Sequence, residues 1–198
     1  MSPDRKRRGK LIVISGPSGT GKTSICQALL ERDPNAVWSV SATTRRPRGS
    51  EMNGHSYEFI THQEFEERRE RGGFLEWAEY LGQLYGTPKV PVVEALEAGR
   101  DVIMEIDVQG GVQVAERMPD SVRVFVLPPT MESLKARLAG RQTESAEQLS
   151  RRLAQADGEI GFARDSGAYP RFVVNDVLED TVAQIAGLIE AERENTDS

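Results

Sequence analysis

The sequence contains a single cysteine, Cys26, among 198 residues. One thiol excludes an internal disulfide framework and any cysteine-built metal cage. Its neighbours Ile25, Leu29 and Leu30 recur at helical spacing, so Cys26 is expected to be buried filler rather than a reactive group. Histidine is also scarce. His55 and His62 have no second histidine or cysteine at ligand spacing, which favours surface or capping roles over metal binding. No apolar run approaches the ~18 residues that a membrane span requires. The basic start (Arg5, Lys6, Arg7, Arg8, Lys10) is followed only by a short apolar block, residues 11–14, too brief for a secretory signal. A soluble, cytoplasmic protein with no membrane partner is expected. Positive charge is not in excess either: 25 Lys and Arg face 31 Asp and Glu, for a net charge of −6. That balance argues against nucleic acid as the main partner, and residues 1–9 read as a basic, flexible, solvated leader. No repeat or low-complexity linker interrupts the remainder, so residues 10–198 are expected to form one domain with a sizeable core.

What the sequence does have is alternation. Apolar runs at residues 10–15, 101–106, 122–127 and 172–175 read as buried strands. Helical periodicity covers residues 22–32, 91–98, 131–139, 146 to about 158, and about 181–191. Strands alternating with helices imply an α/β fold, a mainly parallel sheet flanked by helices. Between the first two strands, residues 38 to 85 are half-polar and look like an insertion. Short strands are expected there at 38–42 and 55–60. Thr61-His62-Gln63-Glu64 is a capping-box pattern opening a helix to about Gly72. Residues 74–86 read as short and irregular.

Gly16-Pro17-Ser18-Gly19-Thr20-Gly21-Lys22-Thr23 matches G-x-x-x-x-G-K-[ST], the P-loop pattern. The spacing has a physical basis. Glycines let backbone N–H groups turn inward around a phosphate with no Cβ in the way. The helix that follows contributes unpaired donors and the positive end of its dipole. Lys22 can reach the β and γ phosphates of a nucleoside triphosphate, and the Thr23 hydroxyl can coordinate Mg²⁺. A turn that merely joins strand to helix would need none of these residue types. The strand at 101–106 carries Glu105 and Asp107 at its carboxyl end, where a carboxylate supporting magnesium belongs. The N-K-x-D motif by which GTPases read their base is absent.

Several further blocks occur together: Thr43-Thr44-Arg45-Arg46-Pro47-Arg48 with Asn53-Gly54-His55-Ser56-Tyr57, Phe74-Leu75-Glu76-Trp77-Ala78, and Tyr85-Gly86-Thr87. With the P-loop, Glu105-Ile106-Asp107-Val108-Gln109-Gly110 and Val173-Val174-Asn175-Asp176, they make the chain resemble the guanylate kinases, from Lys10 to about Glu190. The resemblance implies a P-loop kinase core, an inserted mixed β/α acceptor-binding region at about 38–87, and a helical lid at about 137–152. It implies transfer of the ATP γ-phosphoryl to GMP, and to dGMP, with Mg²⁺. ATP would contact Gly16 to Thr23, with Asn175 and Asp176 on the adenine side. GMP would contact Ser41, Arg45, Arg48, Tyr57, Glu76, Tyr85, Thr87 and Glu105. Lys22, Arg48, Arg137, Arg141 and Arg152 would be the catalytic cations. The family usually has glycine after the second lid arginine, where this chain has Gln142.

The residue chemistry is compatible with those assignments. An acceptor monophosphate is close to a dianion at neutral pH, and it must approach a polyanionic donor. Arg45 and Arg48 can grip one phosphate with fork-shaped donors, and Tyr57 and Tyr85 can add hydroxyls. Guanine presents N1–H and its 2-amino group side by side, which one carboxylate, Glu76, can accept together. Ser41 or Thr87 can donate to O6. Against adenine the same carboxylate would be left unpaired. For magnesium, the P-loop logic favours Thr23 with Asp107, whereas the resemblance places Glu105 near the acceptor; the residues alone leave that choice open. Two other readings remain: a guanylate-kinase-like interaction module without chemistry, and another small-substrate P-loop kinase.

Overall fold

The structure is a computed structural model, and it describes residues 8–139 and 145–194. Most of the basic leader, together with Arg141 and Gln142 of the expected lid, lies outside the described residues. In chain order the elements are β1 (Leu11–Ser15), α1 (Lys22–Arg32), β2 (Ala36–Trp38), β3 (Ala42–Thr43), β4 (Glu58–Phe59), α2 (His62–Glu70), β5 (Phe74–Tyr80) and β6 (Gln83–Pro88). They continue with α3 (Lys89–Glu97), β7 (Asp101–Glu105), α4 (Val108–Arg117), β8 (Val122–Leu127), α5 (Met131–Ala139), α6 (Ala146–Asp165), β9 (Arg171–Val174) and α7 (Leu178–Glu194).

The first sheet is parallel throughout, in the order β2-β7-β1-β8-β9. β1 is its middle strand and is buried along its full length. Successive side chains of a strand point to opposite faces, and β1 feeds two cores accordingly. Ile12 and Ile14 join Ile25, Cys26 and Leu29 of α1 and Val182, Ile185 and Ile189 of α7. Leu11 and Val13 join Val92 and Leu96 of α3 and Val114 of α4. Each such buried aliphatic side chain contributes roughly 1.5–3 kcal/mol, which explains why this strand can anchor a functional turn at its end. Cys26 is fully buried, as its helical neighbours imply.

The second sheet is mixed, β4-β3-β6-β5, and the chain enters it between β2 and β7. β3 pairs parallel with β4 and antiparallel with β6. Its small core stacks Phe65 of α2 on Phe74 of β5, ring centroids 4.3 Å apart, with Ala42 and Leu84 beside them. The Thr61–Glu64 capping box forms at the start of α2 with both of its hydrogen bonds.

Three sequence expectations need correction. Residues 74–86 are not irregular: β5 and β6 make an antiparallel hairpin whose tip, Leu81 and Gly82, has φ of 51° and 72°. Two positive φ values are what the tight turn of a right-twisted hairpin requires. α4 was not foreseen, because Gly110-Gly111 reads as a helix breaker. Both glycines are buried inside that helix, and a Cβ on Gly111 would stand 1.7 Å from the Tyr169 hydroxyl oxygen. Packing, not backbone freedom, demands glycine there. Finally, α6 does not stop near Gly158 but continues to Asp165.

Candidate active site

The carboxyl ends of β1 and β7 open onto one cleft, the usual place for ligands in a parallel α/β sheet. Behind β1 the chain turns through Gly16 to Gly21 and enters α1. Gly21 has φ of 89°, and a Cβ there would lie 2.5 Å from Asn175 Nδ2. Gly16 is equally constrained, with Val126 O 2.4 Å from the place its Cβ would take. α1 then starts without a side-chain cap and without an acid in its first turn, whereas α2, α4 and α6 are all capped by side chains. Its first N–H groups therefore have no side-chain cap competing for them, and such a turn can hold a phosphate.

Lys22 Nζ donates to Pro17 O at 3.0 Å, across the same turn. Burial pushes its pKa down, while the nearby Glu105 and Glu159 act in the opposite direction. Thr23 Oγ1 donates to Glu105 Oε1 at 3.2 Å. Asp107 is differently engaged: its Oδ1 accepts the Gly110 N–H at 2.7 Å and caps α4. The cleft measures about 520 Å³. Lys22, Thr23 and Ser18 line it on one side, Ser41 and Tyr57 on the other, with Glu105 and Asp107 between them. A divalent cation fits this donor set. No cluster of three or more ligating side chains occurs among the described residues, but Mg²⁺ takes only one or two protein oxygens when phosphates and water supply the rest. Thr23 with Glu105 offers that pair more directly than Thr23 with Asp107.

The loop from Arg45 to Tyr57 is tied internally. Arg45 makes a bidentate pair with Glu51, at 2.8 and 2.9 Å, and lies over the Tyr57 ring at 5.2 Å. Glu51 also accepts the Arg48 N–H at 2.8 Å. Hydrogen bonds from Arg45 hold the Glu51 carboxyl down at about 2, and Glu51 in turn raises the Arg45 guanidinium. Tyr57 and Tyr85 meet edge to face at 6.1 Å. The Arg48 side chain is exposed, and neither Arg45 nor Arg48 lines the cleft itself.

Glu76 is a buried carboxyl, 6% exposed. Thr87 Oγ1 donates to its Oε1 at 2.6 Å. Its Oε2 is close to α4, 2.9 Å from where a Cβ on Gly110 would be. Burial raises its pKa to about 7, the Thr87 hydrogen bond opposing the shift and the Asp107 charge reinforcing it. From the helical side, Arg152 Nη2 donates to Ser18 Oγ at 2.7 Å and Arg137 Nη2 to Asn175 O at 3.0 Å. Two guanidiniums, from α5 and α6, thus stand against the glycine-rich turn and its support.

A family model for guanylate kinase matches residues 8–192. The guanylate kinase of Symbiobacterium thermophilum is 48% identical over 191 residues, covering 96% of this chain and 89% of that one. That of Trichodesmium erythraeum is 46% identical over 177 residues, with 89% and 94% covered. This chain belongs to the guanylate kinase family. The crystal structure of guanylate kinase from Anaplasma phagocytophilum agrees in fold, with a TM-score of 0.73 at 32% identity over 95% of this chain and 88% of that one.

Of the residues singled out in the sequence, Gly16, Ser18, Lys22, Thr23, Ser41, Tyr57, Glu105 and Asp107 line the cleft. Arg45, Tyr85, Glu76 and Thr87 do not line it, and Arg141 is outside the described residues. Asn175 is engaged beneath the turn. Its Nδ2 donates to Thr20 O at 2.7 Å and its Oδ1 accepts from Thr181 Oγ1 at 3.0 Å. The amide is committed at both ends beneath the turn, so it supports the loop instead of facing the cleft, while Asp176 is exposed. Two residues escaped sequence reasoning. Glu51 binds Arg45 six positions away in a loop, where no periodicity marks the pair. Glu159 lines the cleft from α6, one residue past the glycine at which that helix was expected to end.

Proposed function

We propose that this chain transfers the γ-phosphoryl group of ATP to GMP, and to dGMP, by direct in-line displacement with Mg²⁺. The observation that carries the reading is the Glu76–Thr87 pair. A nearly desolvated carboxyl that retains an acceptor oxygen, set close to the end of a P-loop cleft, suits a base offering two adjacent N–H donors. Once ionised, it would accept both from guanine and would be stranded against adenine. The contacts invoked are to base and phosphate, so dGMP shares them.

The acceptor phosphate oxygen is already ionised, so no general base is needed. The chain's task is positioning and charge compensation. Lys22 and the N–H groups of the glycine-rich turn would hold the β and γ phosphates, with Arg137, Arg141 and Arg152 on their outer side. Arg45, pre-set by Glu51 and the Tyr57 ring, would face the acceptor phosphate, and Arg48 would swing in from solvent. Thr23 and Glu105 would hold Mg²⁺, which would supply neutralisation of charge on the phosphates. Residues 38–87 act as the acceptor region and 137–152 as the lid in this reading. Their approach would exclude water that could otherwise take the phosphoryl group.

The test is a steady-state screen of nucleoside monophosphates with ATP, read by coupled ADP release. GMP and dGMP should turn over, with AMP, CMP and UMP far slower. No turnover at millimolar substrates would point to an interaction module that kept the fold without its chemistry. A second measurement addresses the exposed cation. Arg48→Met should lower kcat and raise the KM for GMP together, by about 10–100-fold in kcat/KM, with the KM for ATP unchanged. An unaltered rate would remove Arg48 from the clamp.

A further inference from the structure

β5 is the edge strand of the second sheet, and its far side meets α4 rather than another strand. An uncovered strand edge presents unpaired N–H and C=O groups, which must be met elsewhere if buried. α4 meets them with side chains. Gln113 Nε2 donates to Trp77 O at 2.8 Å, and Gln113 Oε1 accepts the Trp77 N–H at 3.2 Å. One carboxamide thus imitates the strand that is missing. Four residues further along the helix, on the same face, Arg117 Nη1 donates to Leu75 O at 2.6 Å and to Gln113 Oε1 at 3.1 Å. The β5–β6 register shifts between Phe74 and Glu76, and the Leu75 carbonyl is met from α4 by Arg117.

The residue between these two clamped positions is Glu76. We propose that Gln113 and Arg117 are positioning residues that aim the Glu76 carboxyl, so that α4 sets how strictly the acceptor base is read. This rests on the assignment of Glu76 to guanine made above. Neither side chain lines the cleft, and both act through the backbone of β5. The arrangement is closed on every side of Glu76: Thr87 from β6 holds one carboxyl oxygen, Gly110 of α4 leaves room for the other, and α4 fixes the main chain before and after it. Displacing a recognition group by about 1 Å can cost on the order of 10²-fold, so the clamp has leverage on a site it does not touch.

Charge gives the clamp a second signature. The groups facing Glu76 are Asp107, which caps α4, Arg117 of α4 and the Thr87 hydroxyl of β6. Arg69 of α2 lies over the Trp77 ring, and Lys89 shares the small surface hollow formed by Trp77, Leu75 and Arg117. Of these cations, Arg117 acts on Glu76 directly, and it favours the ionised carboxylate that guanine needs.

The experiment compares Gln113→Leu, Arg117→Met and Arg117→Lys with the unmodified chain, using GMP and IMP as acceptors. IMP lacks the 2-amino group, so its ratio to GMP in kcat/KM reports how well both donors are met. Gln113→Leu should reduce the preference for GMP over IMP about tenfold or more, with the KM for ATP unchanged. Arg117→Met should move the acidic limb of the GMP kcat/KM profile to higher pH, and Arg117→Lys should return most of that shift. Arg117 is exposed, so these two variants should fold even if Gln113→Leu does not. An unchanged GMP-to-IMP ratio and an unchanged pH limb in variants that fold would overturn the proposal. So would equal losses for GMP and ATP, which signal general loosening. If the unmodified chain showed no preference for GMP, the parent reading would fail first and the clamp with it. That result is distinct from a selective enzyme whose variants remain selective.

Discussion

Lys22→Met is expected to lower kcat by about 10³-fold or more while the protein unfolds at nearly the same temperature. The side chain crosses the glycine-rich turn to Pro17 O and carries its charge in a partly desolvated place. Loss of one preorganised charge-stabilising donor costs about 10²–10³-fold in other enzymes, and catalytic cations in phosphoryl transfer reach 10³–10⁵-fold. Folding loses little, because methionine replaces the aliphatic stem and the turn keeps its glycines and the Asn175 support. Burial lowers the Lys22 pKa, so the ammonium form is less favoured in the folded chain than in the unfolded one. Its removal therefore takes no favourable charge term from stability near neutral pH. Single-turnover rates with saturating ATP and GMP, beside thermal melts, make the check. Turnover within tenfold of the unmodified chain would exclude Lys22 from the chemistry.

Glu76→Gln should have the second-largest effect, confined to the acceptor. A carboxamide offers guanine one acceptor and one donor where two donors need to be met. It loses a charge-assisted hydrogen bond and leaves another polar group unpaired, for roughly 3–4 kcal/mol together. The KM for GMP should rise about 10²–10³-fold, and the KM for ATP should not move. Acidity supplies an independent check. With its pKa near 7, Glu76 is mostly protonated at pH 6, so GMP binding should weaken about tenfold per pH unit below that value. The acceptor phosphate has its own ionisation near 6, common to both proteins, so the limb that disappears in Glu76→Gln belongs to Glu76. The stability effect has the opposite sense. A carboxyl that holds its proton more tightly folded than unfolded favours the fold most below about 4.5, and this contribution is lost as pH rises through 7. At pH 8, Glu76→Gln should melt no lower than the unmodified chain. Binding assays at pH 6 and 8 showing equal weakening toward both nucleotides would contradict the assignment.

The parallel sheet and the phosphate turn were legible in the sequence because their signals are local. β1, α1, β8 and α5 follow from unbroken apolar runs and clean helical spacing, and the P-loop is a fixed string of residue types. The acceptor side was less legible. β5 is an edge strand that buries the Glu76 carboxyl beside its apolar residues, so Phe74 to Tyr80 shows no clean alternation. α4 was hidden by two glycines that a helix ordinarily rejects but that Tyr169 and Glu76 require. α6 was shortened by Gly158, which lies in a helix with nothing near its Cβ position and so costs little beyond propensity. Pairings such as Arg45 with Glu51, or Gln113 with Trp77, depend on tertiary approach, and no spacing rule exposes them.

The amide of Asn175 joins residue 20 to residue 181. A ribosome produces the glycine-rich loop about 150 residues before it produces that brace, so for most of its synthesis the nascent polypeptide owns a nucleotide-binding string without the prop beneath it. Affinity for the phosphoryl donor should therefore appear late, when the final strand and helix dock.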